Sequence, residues 1–291
     1  MNSNPLAEVF GFPTDNRSPE AERYTKNKLC PFNNKVPSCT KDRANDPLGV
    51  CSIFEEGQTI ITCPIRFRED WLIAEDAAEF FFKANASWTS IAEVRLNDKN
   101  GNTAGNIDLV LVSYDERGRV VDFGSLEIQA VYISGNIRRP FERYMSSRQR
   151  SHSFTWSGPN FPKADFLSSS GKRLAPQMLY KGGILRGWGK KQAVALQTSF
   201  FETLPTLKEV PQSKADIAWL LYDLRLHKKS NRFKLIQNKV VYTEFGPALR
   251  QITTAEPGKI EDFMEVLQQK LDEKLEGNPP EAPTITDITL T

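Results

Sequence analysis

The sequence has no long apolar run: its most hydrophobic stretches, 107–112 and 215–222, fall far short of the roughly 20 residues that a membrane-spanning helix requires. A membrane-spanning protein is therefore excluded. The N-terminus, Met-Asn-Ser-Asn-Pro-Leu-Ala-Glu, has neither a basic start nor an apolar stretch, so no signal or transit peptide is expected and the expected compartment is the cytoplasm. Histidine is scarce. His152 and His227 are the only two, neither in ligand-like spacing, which argues against histidine catalysis. The glycines at 182, 183, 187 and 189 are too few for a phosphate-cradling loop, and without a Walker or dinucleotide fingerprint ATP dependence is not expected. Four cysteines in 291 residues cannot make a disulfide scaffold. No internal repeat is present.

What is there is ordinary globular composition, 39% hydrophobic and 25% charged, with length for one large or two modest domains. The net charge of +2 conceals an asymmetry. From Val131 to Phe200 there are 12 Lys and Arg against two acids, Glu142 and Asp165, so this stretch carries roughly +10 and the remainder roughly −8. One region is built to meet an anion.

Residues 1–70 read as irregular, rich in Pro, Asn, Ser and Cys, and hold all four cysteines. An amphipathic helix follows over 69–84, with Trp71, Leu72, Ala74, Ala77, Ala78, Phe80 and Phe81 as its apolar positions. Three strand-like runs come next, 90–96, 107–114 and 120–132, separated by turn signals at Asn100-Gly101 and Asp115-Glu116-Arg117-Gly118, which points to antiparallel hairpins. Helices are expected over 173–185 and 190–204, strands over 216–226 and 239–245, and a strongly periodic helix over 258–275. The order implies an α/β fold, a mixed sheet flanked by helices. The expected organisation is an irregular N-terminal region to residue 70, a core over 71–276 and a flexible tail over 277–291.

The informative constellation is Asp108 on the second run with Glu127 and Gln129 on the third. Side chains two apart on a strand share a face, so Glu127 and Gln129 converge, and hairpin pairing can bring Asp108 beside them. Their neighbours are apolar: Ile107, Leu109 and Val110 around Asp108; Leu126, Ile128 and Ala130 around the other two. A half-buried carboxylate pair repels itself unless a cation neutralises it, and Mg²⁺, bound by one or two carboxylates plus water, is the natural occupant. Glu93, on or near the first strand, is a candidate fourth member. The competing reading is that each acid is merely a solvated strand-edge residue.

Asn106-Ile107-Asp108 followed by Glu127-Ile128-Gln129 resembles the catalytic pattern of the PD-(D/E)xK nucleases. With Phe10-Gly11-Phe12-Pro13, Leu29-Cys30-Pro31-Phe32, Gly49-Val50-Cys51-Ser52-Ile53 and Thr62-Cys63-Pro64-Ile65-Arg66-Phe67, the sequence resembles the NotI family of type II restriction endonucleases over most of its length. The resemblance implies a restriction-endonuclease-like mixed sheet and Mg²⁺-dependent hydrolysis of double-stranded DNA at a short, GC-rich palindrome, leaving 5′-phosphates. It also implies a homodimer, with a cognate DNA methyltransferase as functional companion. Glu93, Asp108 and Glu127 would hold the metal. The resemblance implies Glu-x-Gln where most of the wider superfamily has Glu-x-Lys, and Glu127-Ile128-Gln129 keeps the Gln, a neutral amide that can orient a water but supplies no charge.

Cys30, Cys39, Cys51 and Cys63 are separated by 8, 11 and 11 residues, without the C-x2-C knuckle of most structural zinc sites, and this spacing leaves metal ligands and buried free thiols equally open. The Pro-rich, apolar-poor surroundings favour a staple. The resemblance implies iron held by all four thiols, with zinc the alternative occupant. In the basic stretch, Arg138, Arg139, Arg143, Arg148 and Arg150 are the expected base readers, since Arg suits bidentate contacts to guanine. Lys172, Arg173, Lys181, Arg186, Lys190 and Lys191 are expected mostly as phosphate contacts. Two other readings share these features: a structure- or damage-directed nuclease of the same superfamily, and a non-enzymatic DNA-binding module whose carboxylates are structural.

Overall fold

A computed structural model describes residues 4–33, 36–43, 45–148, 160–255 and 257–277. The expected tail beyond 277, Arg150, His152 and Trp156 lie outside the described residues. The N-terminal region, expected to be irregular, contains four short strands, β1 (Leu6–Val9), β2 (Phe12–Pro13), β3 (Val50–Glu55) and β4 (Gln58–Ile61), in an antiparallel sheet of order β2-β1-β3-β4. They escape a reading by periodicity because they are short and β1 is buried at every residue, so no alternation marks it. Between β2 and β3 runs a helix α1 (Pro19–Lys26), started by Pro19 and by Ser18, whose hydroxyl accepts from the Ala21 amide at 3.2 Å.

After an irregular 3₁₀ segment (Pro64–Trp71) comes α2 (Leu72–Phe81), then the hairpin strands β5 (Trp88–Asn97), β6 (Thr103–Tyr114) and β7 (Val120–Gln129). Both turns have the expected chemistry. Asp98 Oδ1 accepts from the amides of Asn100 and Asn102, Asp115 Oδ1 from those of Arg117 and Arg119, and Gly101 and Gly118 take the left-handed conformation. The third run stops at Gln129, and Tyr132–Ser134 is a separate strand, β8, paired with β9 (Lys163–Asp165). A helix α3 (Arg138–Ser146) lies between them in sequence.

A long helix, α4, covers 166–187 and contains two π-helical turns, Ser170–Leu174 and Met178–Gly182. The expected helix over 190–204 is instead a strand, β10 (Gln192–Gln197), followed by a single helical turn, Thr198–Phe201. The reason is its position: β10 runs parallel to both neighbours in the middle of a six-stranded sheet and is buried on both faces. Its apolar run Ala193-Val194-Ala195-Leu196 therefore shows no alternation and reads like a buried helix. The strands β11 (Ile217–His227) and β12 (Arg232–Thr243) complete the sheet, in order β12-β11-β10-β7-β6-β5. A helix α5 (Phe245–Thr253) follows.

The sheet is covered on both faces. On one, α2 places Ile73, Ala74, Ala77 and Phe81 against Leu109, Leu126, Ala195 and Leu220. On the other, Tyr144 of α3, Met178 of α4 and Phe245 of α5 meet Val194, Leu196 and Trp219, together with Leu6, Phe10, Val50 and Ile53 from the N-terminal strands. The N-terminal region is thus part of the main core. Two polar devices fasten it there. The side-chain amide of Gln197, at the end of β10, accepts from the Ile61 amide at 2.8 Å and donates to the Thr59 carbonyl at 2.6 Å, acting as a strand partner for β4. Arg66, fully buried, donates to Glu8 at 3.0 and 3.1 Å, to Glu69 at 2.7 Å and to the Phe233 carbonyl at 3.0 Å, while its guanidinium lies over the Phe32 ring.

The chain divides into two units, the second beginning at Thr254. Its helix α6 (Ile260–Gly277) carries an exposed apolar stripe, Ile260, Phe263, Met264, Leu267 and Leu271, at the spacing expected from sequence. No helix among the described residues is long and apolar enough to cross a membrane.

Candidate active site

Three neighbouring strands bring their acids to one level. The pairs Ala92↔Leu109 and Val94↔Ile107 put Glu93 opposite Asp108 across β5 and β6, and Leu109↔Leu126 puts Glu127 one step further on, opposite Asp108 across β6 and β7. Backbone pairing between β6 and β7 stops there. The next amide, of Ile128, donates to Asp108 Oδ2 at 2.8 Å, so the Asp108 carboxylate takes over a ladder bond, which fixes its orientation. Glu93 departs from the row. Its φ of 58° is left-handed, a strained conformation for a non-glycine residue inside a strand, and the side chain is exposed. Among the described residues no three carboxylate, thiol or imidazole side chains form a metal-holding set. The convergence is of Asp108 with Glu127, with Gln129 beside Glu127.

Glu127 and Gln129 share the face of β7 covered by α4 and are 1% and 2% exposed. Two residues of α4 meet them. Lys181 Nζ donates to both Glu127 oxygens, at 2.9 and 2.8 Å, and to the Asn106 carbonyl at 2.6 Å. The Gln129 amide donates to the Gln177 side-chain oxygen. Burial, followed by the adjacent charge of Asp108, pushes the Glu127 carboxyl up to about 7 despite the opposing pull of Lys181. Glu127 thus holds its proton more tightly than an ordinary carboxyl even with an ammonium in contact. Nearby, Ser125 Oγ and both amide atoms of Gln192, paired across β7 and β10, are buried without a hydrogen-bond partner in the protein, which leaves polar capacity for water beside the acids.

Sequence reasoning treated Lys181 as one phosphate-contacting cation among several and passed over Gln177. The missed signal was positional. Leu174, Met178 and Leu185 form the buried stripe of α4, and Lys181 occupies a place on that stripe where helical spacing calls for an apolar residue.

The arginines expected to read bases have other partners. Arg138, on α3, pairs with Asp42 at 2.5 Å and Asp46 at 2.8 Å, and Arg148 with Glu22 at 2.5 Å. The acidic partners of both arginines are exposed, so these pairs lie in contact with solvent. Arg139 and Arg143 are exposed on α3, Lys172 is exposed on α4, and Arg173 stacks 4.0 Å above the Tyr132 ring centroid while donating to its hydroxyl at 2.8 Å.

The four cysteines are free thiols. Cys30 and Cys39 are drawn together by the bridge Leu29↔Ser38 and the bonds from Cys30 N to Pro37 O and from Cys39 N to Lys28 O. Cys51 and Cys63 are drawn together by the bond from Thr62 N to Cys51 O. Burial pushes the Cys30 thiol up to about 11, with Cys63 and Cys39 adding to it; the Cys51 thiol is also raised, by burial and then by Cys63. The two pairs thus lie within electrostatic reach of each other, although the sulfurs do not form a ligand shell.

An acid pair and an amide on a mixed α/β sheet, beside a cation-rich segment, form a centre suited to work on a phosphodiester backbone. The family model of the restriction endonuclease NotI matches residues 17–235, and the chain belongs to that family. It is a type II site-specific deoxyribonuclease, a hydrolase that binds double-stranded DNA. The match takes in Glu93, Asp108, Glu127, Gln129, Lys181 and all four cysteines. A comparison with curated proteins returned no match.

Proposed function

We propose that this endonuclease hydrolyses both strands of a short, GC-rich palindromic site in a Mg²⁺-dependent reaction, leaving 5′-phosphates and acting as a homodimer from a PD-(D/E)xK core. The observation that carries the reading is the meeting of Asp108 and Glu127 at the point where β6 and β7 stop pairing. The donor set fits a hard divalent cation: two carboxylate groups, one of them held short of full ionisation by burial and by the other, beside unpartnered polar groups that can order water. Bound there, the ion would polarise the scissile phosphate and acidify water. Asp108 and Glu127 would hold it; Glu93, opposite Asp108 across β5 and β6 but turned out of the row, would join them only if its side chain swung inward. Gln129, anchored by Gln177, can orient a water through its amide but cannot supply charge.

The dimer follows from the proposed target: a palindrome has two-fold symmetry, and two centres are needed for its two strands. A cognate methyltransferase and a cytoplasmic site of action go with that activity. Arg139 and Arg143, with Arg138 and Arg148 once released from their acidic partners, are proposed to read bases, and Lys172 and Arg173 to hold the backbone. Incubation of plasmid and phage DNA with the protein and Mg²⁺ tests the reading. Discrete bands with 5′-phosphate ends are expected; a smear, or nicking only at branched or damaged DNA, would refute the palindromic target. Glu127→Ala should abolish cutting while leaving duplex binding intact at matched ionic strength.

Iron or zinc held by Cys30, Cys39, Cys51 and Cys63 is a second proposal, supported by the proximity of the two cysteine pairs and the absence of any disulfide between them. Elemental analysis of the purified protein should find about one such metal per chain if the tetrahedral thiolate set forms. A metal-free protein of unchanged stability would dismiss it.

A further inference from the structure

The ammonium of Lys181 sits between both oxygens of Glu127, at 2.9 and 2.8 Å, where any cation gripped by that carboxylate fork would have to lie. An ammonium and a divalent ion cannot share the position. We propose that Lys181 is a placeholder cation, which keeps Glu127 in position beside Asp108 while the centre is empty and withdraws when a divalent ion binds. The inference rests on the metal-dependent reading above and adds an ordering to it: metal entry is an exchange of cations.

Three features support exchange over a fixed structural bridge. The pair is 5% and 1% exposed, and a buried ion pair is generally no more stabilising than well-packed apolar side chains, so α4 would hold to the sheet at least as well with an apolar residue completing its stripe. Lysine's charge is carried on a flexible four-carbon stem, which can retract where a guanidinium fork would not. The third bond, to the Asn106 carbonyl at 2.6 Å, gives the ammonium an anchor beside the centre once Glu127 has been released. Lys181 also lies within the π-helical turn Met178–Gly182, an irregular stretch of helix of the kind that recurs at functional sites. Lys181 acts through Glu127 and is a positioning residue.

Calorimetric titration of Mg²⁺ into the full-length protein without DNA reads the exchange directly. Lys181→Met should bind Mg²⁺ about tenfold more tightly than wild type, a difference of about 1.4 kcal/mol, because no ammonium has to be displaced. Lys181→Arg, which keeps a two-pronged hold on the carboxylate, should bind no more tightly than wild type. Equal or weaker binding by Lys181→Met, with DNA still cut by wild type, overturns the placeholder and leaves the nuclease reading standing. A wild type that neither binds Mg²⁺ nor cuts DNA overturns both. Hydrogen exchange in wild type gives a test that needs no variant: Mg²⁺ should speed exchange at the amides of 178–182 as Lys181 withdraws, and unchanged exchange there overturns the proposal.

Discussion

Glu127→Gln should make the metal-free protein more stable while destroying its activity. In the folded chain the Glu127 carboxyl is pushed up to about 7, chiefly by burial and then by Asp108, from an ordinary value of 4.5. Each unit of displacement corresponds to about 1.4 kcal/mol, so the ionised form costs the fold about 3 kcal/mol relative to the neutral form. The contact with Lys181 is already included, because the carboxyl titrates with the ammonium beside it. Glutamine has the shape of the neutral acid and never ionises. The folded state binds the proton more tightly than the unfolded state, so the favourable contribution is complete below pH 4.5 and is lost as pH rises through 7. The stability gap between variant and wild type should therefore be near zero at pH 4 and reach about 3 kcal/mol at pH 8, roughly 5–10 °C in melting temperature. Urea or thermal unfolding in a chelator at several pH values measures it, and other titrating groups cancel in the difference. Added Mg²⁺ should stabilise wild type and fail to stabilise Glu127→Gln. A variant less stable than wild type at pH 8 would refute the reasoning: the Lys181 pair would then outweigh burial and repulsion, and the acids would have no excess charge for a metal to relieve.

Two further substitutions probe what holds the centre in place. Arg66→Met removes the buried cation from Glu8 and Glu69, leaving Glu8 with the Ser52 hydroxyl and Glu69 with Lys234, so unfolding should become easier by about 3–5 kcal/mol, measured in denaturant, although Arg66 does not touch the acid centre. Gly182→Ala places a methyl group 2.5 Å from a Phe245 ring atom and 3.0 Å from Gln192 Oε1, forcing α4 off the sheet beside Lys181. A stability loss of about 1–3 kcal/mol is expected, with a larger proportional loss of cleavage, read by unfolding and a timed digest; wild-type behaviour in both would show that the helix can shift at no cost.

The legible parts of the fold are those whose signals are local. Alternating strands and turns closed by Asp and Gly marked the β5–β7 hairpins, and the two-residue period set Glu127 and Gln129 on one face with Asp108 able to join them. The illegible parts are those whose environment comes from far along the chain. β10 carries no alternation because strands on both sides and helices on both faces bury it. The N-terminal strands looked too poor in apolar residues to fold unaided, yet Leu6, Phe10, Val50 and Ile53 complete a core whose other half lies beyond residue 140. Arg138 and Arg148 read as base contacts, whereas in the fold acids at 22, 42 and 46 pair with them. Lys181 carried a signal, a charge on an apolar stripe, but its partner lies 54 residues earlier and only the fold joins them.

The meeting of α4 with β7 also explains why a lysine from a helix can serve a centre built on strands. Residues four apart on a helix are separated by about 6 Å along its axis, and residues two apart on a strand by about 6.6 Å. Gln177 and Lys181 therefore match Gln129 and Glu127 in register, amide to amide and ammonium to carboxylate. The strand contributes an acid and a neutral amide where a lysine at 129 would have supplied both position and charge. With Gln129 in that place, positive charge must come from outside the strand, and the facing helix can deliver it only at a residue spaced as Lys181 is. With the lysine off the strand, the proposed orienting role of Gln129 is separate from neutralisation, which falls to Lys181 or, on the proposed mechanism, to a metal. On the proposed exchange, a centre divided in this way surrenders its ammonium to a divalent ion without disturbing the amide proposed to orient water.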